Sequence, residues 1–263
     1  MECPGSSSCT VGAATARSGE RSIGRPPLPF IQNLANRLLQ ALPSADLELL
    51  RPHLQLGELV REAVLVEAGA PLTRVYLPQS GVISMRNSLL EGQMVEVAMV
   101  GPDSVIGAAA GLADDVSLTD AVVLLPGTAA VMDVTHFRAA ADRSAALRTL
   151  LARHEQALSV QAQQSAACNA SHPVEARLAR WLLHARDRSS GESLPLTQEM
   201  LAQMIGVQRN AVSIVAHALQ KAGILRYSRG HLEIIDAEGL RETSCGCYQT
   251  VKAQHRQLLT APD

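Results

Sequence analysis

Leu196-Thr197-Gln198-Glu199-Met200-Leu201-Ala202-Gln203-Met204-Ile205-Gly206-Val207-Gln208-Arg209-Asn210-Ala211-Val212-Ser213 is the stretch that orders the reading of the whole chain. Thr197 is placed to cap a short helix, Gln198–Ile205, because its hydroxyl can accept from a free first-turn amide. Leu201, Ala202 and Ile205 recur at helical spacing and face inward. Gly206 falls where the chain must turn sharply, and glycine takes a positive φ without steric cost. Val207 then packs into the angle before a second helix, Arg209–Ala222, which buries Val212, Val215, Ala216 and Leu219. That leaves Gln208, Arg209, Asn210, Ser213 and His217 on its outer face. A helix fits the major groove of DNA with its first side chains at the base edges. Arg can bond guanine O6 and N7 together, and Asn or Gln can do the same with adenine N6 and N7. Gly223 stops the helix. Ile224–Tyr227 and His231–Ile235, joined through Ser228-Arg229-Gly230, read as a β-hairpin wing whose Arg229 and His231 can touch phosphate. An ordinary helical hairpin shares the helix-Gly-helix pattern; the wing favours the DNA-binding reading.

Upstream of this segment the texture is different. From Leu56 to Asp133, short apolar stretches (Val64–Glu67, Val75–Leu77, Val82–Met85, Met94–Val100, Ala121–Leu125, Ala129–Asp133) are divided by Gly- and Pro-containing turns such as Pro78–Gly81 and Gly101-Pro102-Asp103. Such punctuation predicts an antiparallel sandwich or small barrel. Before it, Phe30–Leu42 and Asp46–Leu54 carry helical spacing with Pro43-Ser44 between them. After it, Thr135 is placed to cap a helix opening at His136, and a longer run extends from Ala145 to Asn169. Along that run Leu147, Leu151, His154, Leu158, Gln161, Ser165 and Cys168 recur at a/d spacing. The stripe suits a dimer seam, and suits equally packing on the chain's own barrel. Ser171-His172-Pro173 breaks it, and Val174–Arg186 is an amphipathic helix burying Leu178, Trp181 and Leu182.

The expected organisation is therefore α+β. A flexible tail occupies 1–29, an effector-type antiparallel β-barrel with flanking helices 30–143, and a dimerisation helix and hinge 144–171. A winged helix-turn-helix follows over 172–240, with a helical extension at 241–263. Composition agrees with a chain that buries a core: of 263 residues, 47% are hydrophobic and 18% charged, which excludes wholesale disorder. No apolar run approaches the roughly 18 residues of a membrane span, and the N-terminus has no signal-like apolar region, so a cytoplasmic location is expected. The net charge of −2 gives no overall basic signature, yet Val174–Leu232 holds eight Arg/Lys against four Asp/Glu, a local cationic surface suited to DNA.

The order of elements resembles the Crp/Fnr superfamily of transcription regulators over roughly Ala45–Asp236. The likeness is most specific in Leu194–Gly230, and visible in Glu67-Ala-Gly69, Tyr76-Leu-Pro-Gln-Ser-Gly81-Val and Gly101-Pro-Asp103-Ser-Val-Ile-Gly107. The resemblance implies a homodimer on a two-fold-symmetric operator, an effector domain that resets the reading heads, and RNA polymerase as a further partner. It places Gln208, Arg209, Asn210 and Ser213 at bases and Thr197 and Gln198 near the backbone. Members that bind cyclic AMP carry a Gly-Glu pair and an Arg-Ser for ribose and phosphate. Here the matching pocket positions are Gly107, Ala108, Thr119 and Asp120, and a carboxylate beside a phosphodiester repels it, so cyclic AMP is not expected. An iron–sulfur cluster is not expected either, since Cys3 and Cys9 are the only N-terminal cysteines of five.

Smaller signals read as structural. Cys245-Gly246-Cys247 lacks an evident completing pair for zinc and reads as a turn before a last helix, Tyr248–Leu259; no metal site and no cofactor are expected. Cys168 reads as packing in the seam, His154 and His172 as core or surface histidines, and Asp114-Asp115 with Asp120 as a solvated turn. No catalytic constellation is visible. Two rival readings remain: a thiol-redox regulator using Cys168 or Cys245/Cys247, and a ligand sensor whose helices dock another protein.

Overall fold

Short amphipathic strands become stable only by pairing and then covering their apolar stripe, and the chain does both between Gln55 and Asp133. The computed structural model describes residues 34–90, 92–112, 116–189, 193–228 and 230–259. The expected tail 1–29 with Cys3 and Cys9 lies outside the described residues, as do Asp114, Asp115 and Arg229. Two antiparallel sheets are present: β1 (Gln55–Leu59), β7 (Gly127–Asp133) and β3 (Arg74–Pro78) in that order, and β2 (Val64–Val66), β6 (Asp120–Leu125), β4 (Val82–Ser88) and β5 (Met94–Val100). Leu59, Ile83, Ala98, Val100, Val123 and Val131 meet between them. Strand β1 went unread in the sequence because it contains Gly57, a residue that normally weakens a strand. The glycine is needed there: a Cβ would stand 2.7 Å from Val131 Cγ2 on β7.

The flanking helices are shorter than their spacing suggested. Helix α1 covers Arg37–Gln40, with Asn36 Oδ1 accepting from the amides of Leu38 and Leu39. Helix α2 covers Ser44–Leu50 and passes into a 3-10 turn at Arg51–His53. Helix α3 (Val134–Arg143) is capped by Asp133, not Thr135: Asp133 Oδ1 accepts from the Thr135 amide at 2.8 Å and from its hydroxyl at 2.6 Å. The carboxylate just before the helix is the better acceptor for free amides. Helix α4 then runs over Ala145–Ser171. No described helix is long and apolar enough to cross a membrane.

The a/d stripe of α4 is turned inward, which corrects the dimer-seam expectation. Leu147, Leu151, His154, Leu158, Gln161 and Cys168 are all buried within one protomer. Leu147 and Leu151 pack with Phe137, Val75 and Met132, and Leu158 packs with the inter-sheet core. His154 is a core histidine whose Nε2 accepts from the Val105 amide at 3.3 Å, while its buried Nδ1 makes no hydrogen bond among the described residues. The face of α4 left outward carries Ala152, Gln156, Ser159, Gln163 and Ala166.

Helix α5 (Val174–Arg188), strand β8 (Ser193–Leu194), α6 (Gln198–Ile205), α7 (Arg209–Lys221), β9 (Leu225–Ser228) and β10 (His231–Ile234) make the winged helix, its sheet ordered β8-β10-β9. Helix α8 (Ala237–Thr243) follows, and α9 (Cys247–Leu259) returns to lie against α4 and α5. The winged helix does not hang free. An antiparallel sheet commonly leaves one face to water, yet β4, β5 and β6 are buried on both. Ile83, Ala98, Val100 and Val123 point inward, while Val82, Met99 and Leu124 point outward into one cluster with Leu178, Trp181, Leu182 and Met204. The winged helix, below called the reading head for its proposed role, is seated on the back of this sheet, which belongs to the domain proposed as the sensor.

Candidate nucleic-acid interface

The turn between α6 and α7 is built as its residues require. Thr197 caps α6, its hydroxyl accepting from the Met200 amide at 3.1 Å. Gly206 closes the helix in the left-handed region, φ 63° and ψ 51°, with its amide bonded to Gln203 O. Leu201, Ala202 and Ile205 meet Val212 and Leu219 in the angle, with Val207 packed against them. Gln208, Arg209 and Asn210 are exposed at the first turn of α7, and His217 is exposed two turns on. Tyr227 donates its hydroxyl to Leu196 O at 2.9 Å, which braces the wing against the residue preceding Thr197.

Two expected contact residues, Ser213 and Gln198, are engaged with each other. Ser213 donates its hydroxyl to Gln198 Oε1, so this pair ties α7 to α6, and Ser213 is half-buried. Arg226, exposed on the wing, pairs with Glu233 at 2.9 Å. The sequence reading missed Ile214, which stands 73% exposed on α7. Its position two residues before a buried Ala216 was the available signal: a branched apolar side chain on the side of α7 away from the core. A thymine methyl is a chemical partner for it. Thr197, Gln198, Glu199, Arg209, Tyr227 and Gly230 surround a hollow of about 350 Å³ between α6, α7 and the wing.

Behind the winged helix, the largely apolar seam with the β2-β6-β4-β5 sheet holds a buried chain of polar groups. A register shift between Met85 and Arg86 leaves Val97 unpaired, and Glu96 consequently shares the outer face with Met99. Its Oε2 accepts from Ser84 Oγ at 2.6 Å and its Oε1 from Trp181 Nε1 at 2.7 Å. Burial pushes the Glu96 carboxyl up to about 7, against the pull of those two hydrogen bonds and of the Arg86 and Arg180 charges. Ser84 Oγ also lies 3.4 Å from Met204 Sδ, and the Arg61 guanidinium 3.2 Å from Met200 Sδ.

A second cavity, of about 280 Å³, lies where the sensor sheet meets α4. It includes Gly107, Ala108 and Thr119 with Leu72, Met85, Val97, Leu118, Leu158 and Ala162. Asp120 is not among its lining residues, which corrects that expectation: its carboxylate accepts from the Ala68 amide at 2.8 Å and from Ser88 Oγ at 3.3 Å. The described lining holds no Arg or Lys, and its one ionisable side chain is Glu155. A cyclic phosphate needs a cationic or multiple-donor cradle, and these residues do not fit one.

Two family descriptions match the chain: "Cyclic nucleotide-binding domain" over residues 57–144 and "Crp-like helix-turn-helix domain" over residues 176–243. No curated protein matches it. Among solved structures, the chain is similar to FixK2 from Bradyrhizobium japonicum at 15% identity and TM-score 0.63, covering 73% of this chain and 98% of that one. It is similar to the Crp/Fnr-family regulator TTHA1359 from Thermus thermophilus at 20% identity and TM-score 0.60, covering 72% and 98%. It is also similar to the c-di-GMP-responsive global regulator CLP from Xanthomonas campestris at 15% identity and TM-score 0.58, covering 74% and 100%.

Proposed function

Since the chain belongs to the Crp/Fnr family of helix-turn-helix transcription regulators, we propose that it binds a two-fold-symmetric DNA operator as a homodimer. Each protomer lays the first turn of α7 in the major groove, with half-sites about one helical turn apart. The observation that carries this reading is the exposed Gln208-Arg209-Asn210 turn, held up by the Thr197 cap and the Gly206 bend. Arg209 grips guanine, Asn210 or Gln208 grips adenine, and Ile214 meets a thymine methyl. The hollow beside the α6 N-terminus receives a backbone phosphate, as free helix-start amides favour an anion. With the a/d stripe covered, a second copy meets α4 on its outward face, Ala152, Gln156, Ser159 and Gln163. The 280 Å³ cavity suits a small, mainly apolar effector in place of a cyclic nucleotide. Binding there acts on DNA affinity through the seam between sheet and reading head, and RNA polymerase is the downstream partner.

Selection of duplexes from a random pool, followed by anisotropy titrations across salt, tests the reading. Affinity falls steeply with salt as phosphates are neutralised. Arg209→Ala loses about 1–3 kcal/mol of discrimination at one base pair. Recovery of no common sequence, or salt-independent binding, sinks the DNA reading; binding as a monomer at all concentrations sinks the dimer.

A further inference from the structure

The sequence shows Cys245-Gly246-Cys247 without partners, and the fold supplies them. Helix α4 ends with Cys168 and His172 one turn apart, the His172 amide bonded to Cys168 O at 3.0 Å. The turn between α8 and α9 brings Cys245 and Cys247 to that same point. Cys168 Sγ stands 3.4 Å from Cys245 Sγ, and Cys247 Sγ stands 3.6 Å from His172 Nδ1. One ligand atom from each of the four residues lies within 4.8 Å of every other. Cys168 and Cys247 are buried; Cys245 and His172 are half-buried.

We propose that Cys168, His172, Cys245 and Cys247 form a closed, structural zinc(II) site that fastens the C-terminal helix to the end of α4. This replaces the expectation of no metal site. A tetrahedral ion with Zn–S near 2.3 Å and Zn–N near 2.0–2.1 Å puts its ligand atoms about 3.5–3.8 Å apart. The Cys168–Cys245 and Cys247–His172 separations already lie close to that range, and with all four ligand atoms within 4.8 Å of one another the remaining gaps close by small side-chain adjustment. A multi-iron cluster needs its thiolates spread round several metals, wider than this constellation. Three thiolates and a histidine are soft donors that select zinc over calcium, magnesium or manganese.

The surroundings suit the ion. Binding releases three thiol protons, so the filled site carries one net negative charge. Arg180 and Arg177 lie close enough to act electrostatically on Cys168. The Arg180 Nε is buried without a hydrogen-bond partner, on a side chain whose charge acts on Cys168. Gln164 Nε2 donates to Cys247 Sγ at 3.0 Å, the kind of outer-shell bond that orients a ligand. Further along α9, Tyr248 and Lys252 both reach Asp187 on α5, at 2.8 and 2.9 Å. A metal at the Cys-rich end therefore pins α9 across α4 and α5, spanning the Ser171-His172-Pro173 break between sensor and reading head. The clamp limits how far the reading head can swing.

The experiment uses the full chain, purified under reducing conditions without chelator. Elemental analysis should find one zinc per chain, resistant to a weak chelator and released when a mercurial titrates the thiols. Exchange for cobalt(II) should give the intense visible bands of a tetrahedral thiolate site. Cys245→Ser with Cys247→Ser should lose the metal, and His172→Cys, which makes a four-thiolate site, should keep it. The second variant separates ligation from a general failure to fold. Iron with visible cluster absorption, a Cys168–Cys245 disulfide in the purified chain, or no metal retained against the weak chelator would each overturn the proposal. None of these readouts depends on whether the protein binds DNA.

Discussion

The two faces of strands β6, β4 and β5 are both buried, but they are buried differently. The inner face meets the other sheet through aliphatic side chains, Ile83, Ala98, Val100 and Val123 among them. The outer face meets the reading head through Val82, Met99 and Leu124 and also holds Ser84 and Glu96, the latter 8% exposed and bonded to Trp181. A wholly apolar interface has no preferred alternative state. One with a buried carboxylate can be biased by protonation or by a shift of one sheet, because an unpaired buried charge is costly. The inner face therefore closes the core between the two sheets, and the outer face sets how firmly the winged helix is seated on it.

Trp181→Ala should break that comparison most. The indole is 3% exposed and fills the seam while donating to Glu96, so its removal costs about 3–5 kcal/mol and strands a carboxyl group. We expect increased protease cleavage near the Ser171–Pro173 break and altered DNA affinity, with the sensor domain still folded. An unchanged cleavage pattern would show that the seam does not control the head. Ile83→Ala is the inner-face counterpart: about 2–5 kcal/mol is lost, and denaturant unfolding should show it as global destabilisation. If Ile83→Ala instead freed the reading head selectively, the division of labour between the faces would be wrong.

Much of this was legible because the signals are local. Thr197 as cap, Gly206 in the left-handed region and Gly223 as helix stop are backbone requirements that a residue type announces within a few positions. The unread features are long-range. A heptad stripe on α4 says that a face is buried, not by which chain, and here the same protomer covers it. Met94–Val100 reads as a strand apolar on both faces, a pattern expected only of a sheet covered on both sides. That run was the visible trace of the parked head. The four zinc-type ligands are separated by 77 positions between Cys168 and Cys245, and no spacing rule spans a fold-back of that length. Asp120 was assigned to the cavity by position, but the Ala68 amide and Ser88 hydroxyl are better partners than an apolar pocket.

The subtlest test concerns Glu96 itself. Its carboxyl is raised from the ordinary carboxylate value to about 7, so the folded chain holds this proton more tightly than the unfolded chain. The stability linked to it is fully present below the unfolded value of about 4.5 and is lost as pH rises through about 7. Two buried histidines act in the opposite direction. His255, lowered by burial to about 4, and His184, also lowered by burial, contribute stability above the usual histidine value that is lost as the solution is acidified. Wild-type stability alone mixes these effects, so the informative quantity is the difference from Glu96→Gln, which keeps the shape and most of the hydrogen bonding and cannot ionise. Urea midpoints of the two chains should coincide below about pH 4.5, draw apart between about pH 4.5 and 7 and stay apart by a constant amount above that, with the variant the more stable by up to a few kcal/mol, since each unit of pKa shift is worth about 1.4. Parallel pH profiles would mean that Arg86 and Arg180 already hold the carboxylate ionised in the folded state, and the outer face would then be as indifferent to pH as the inner one.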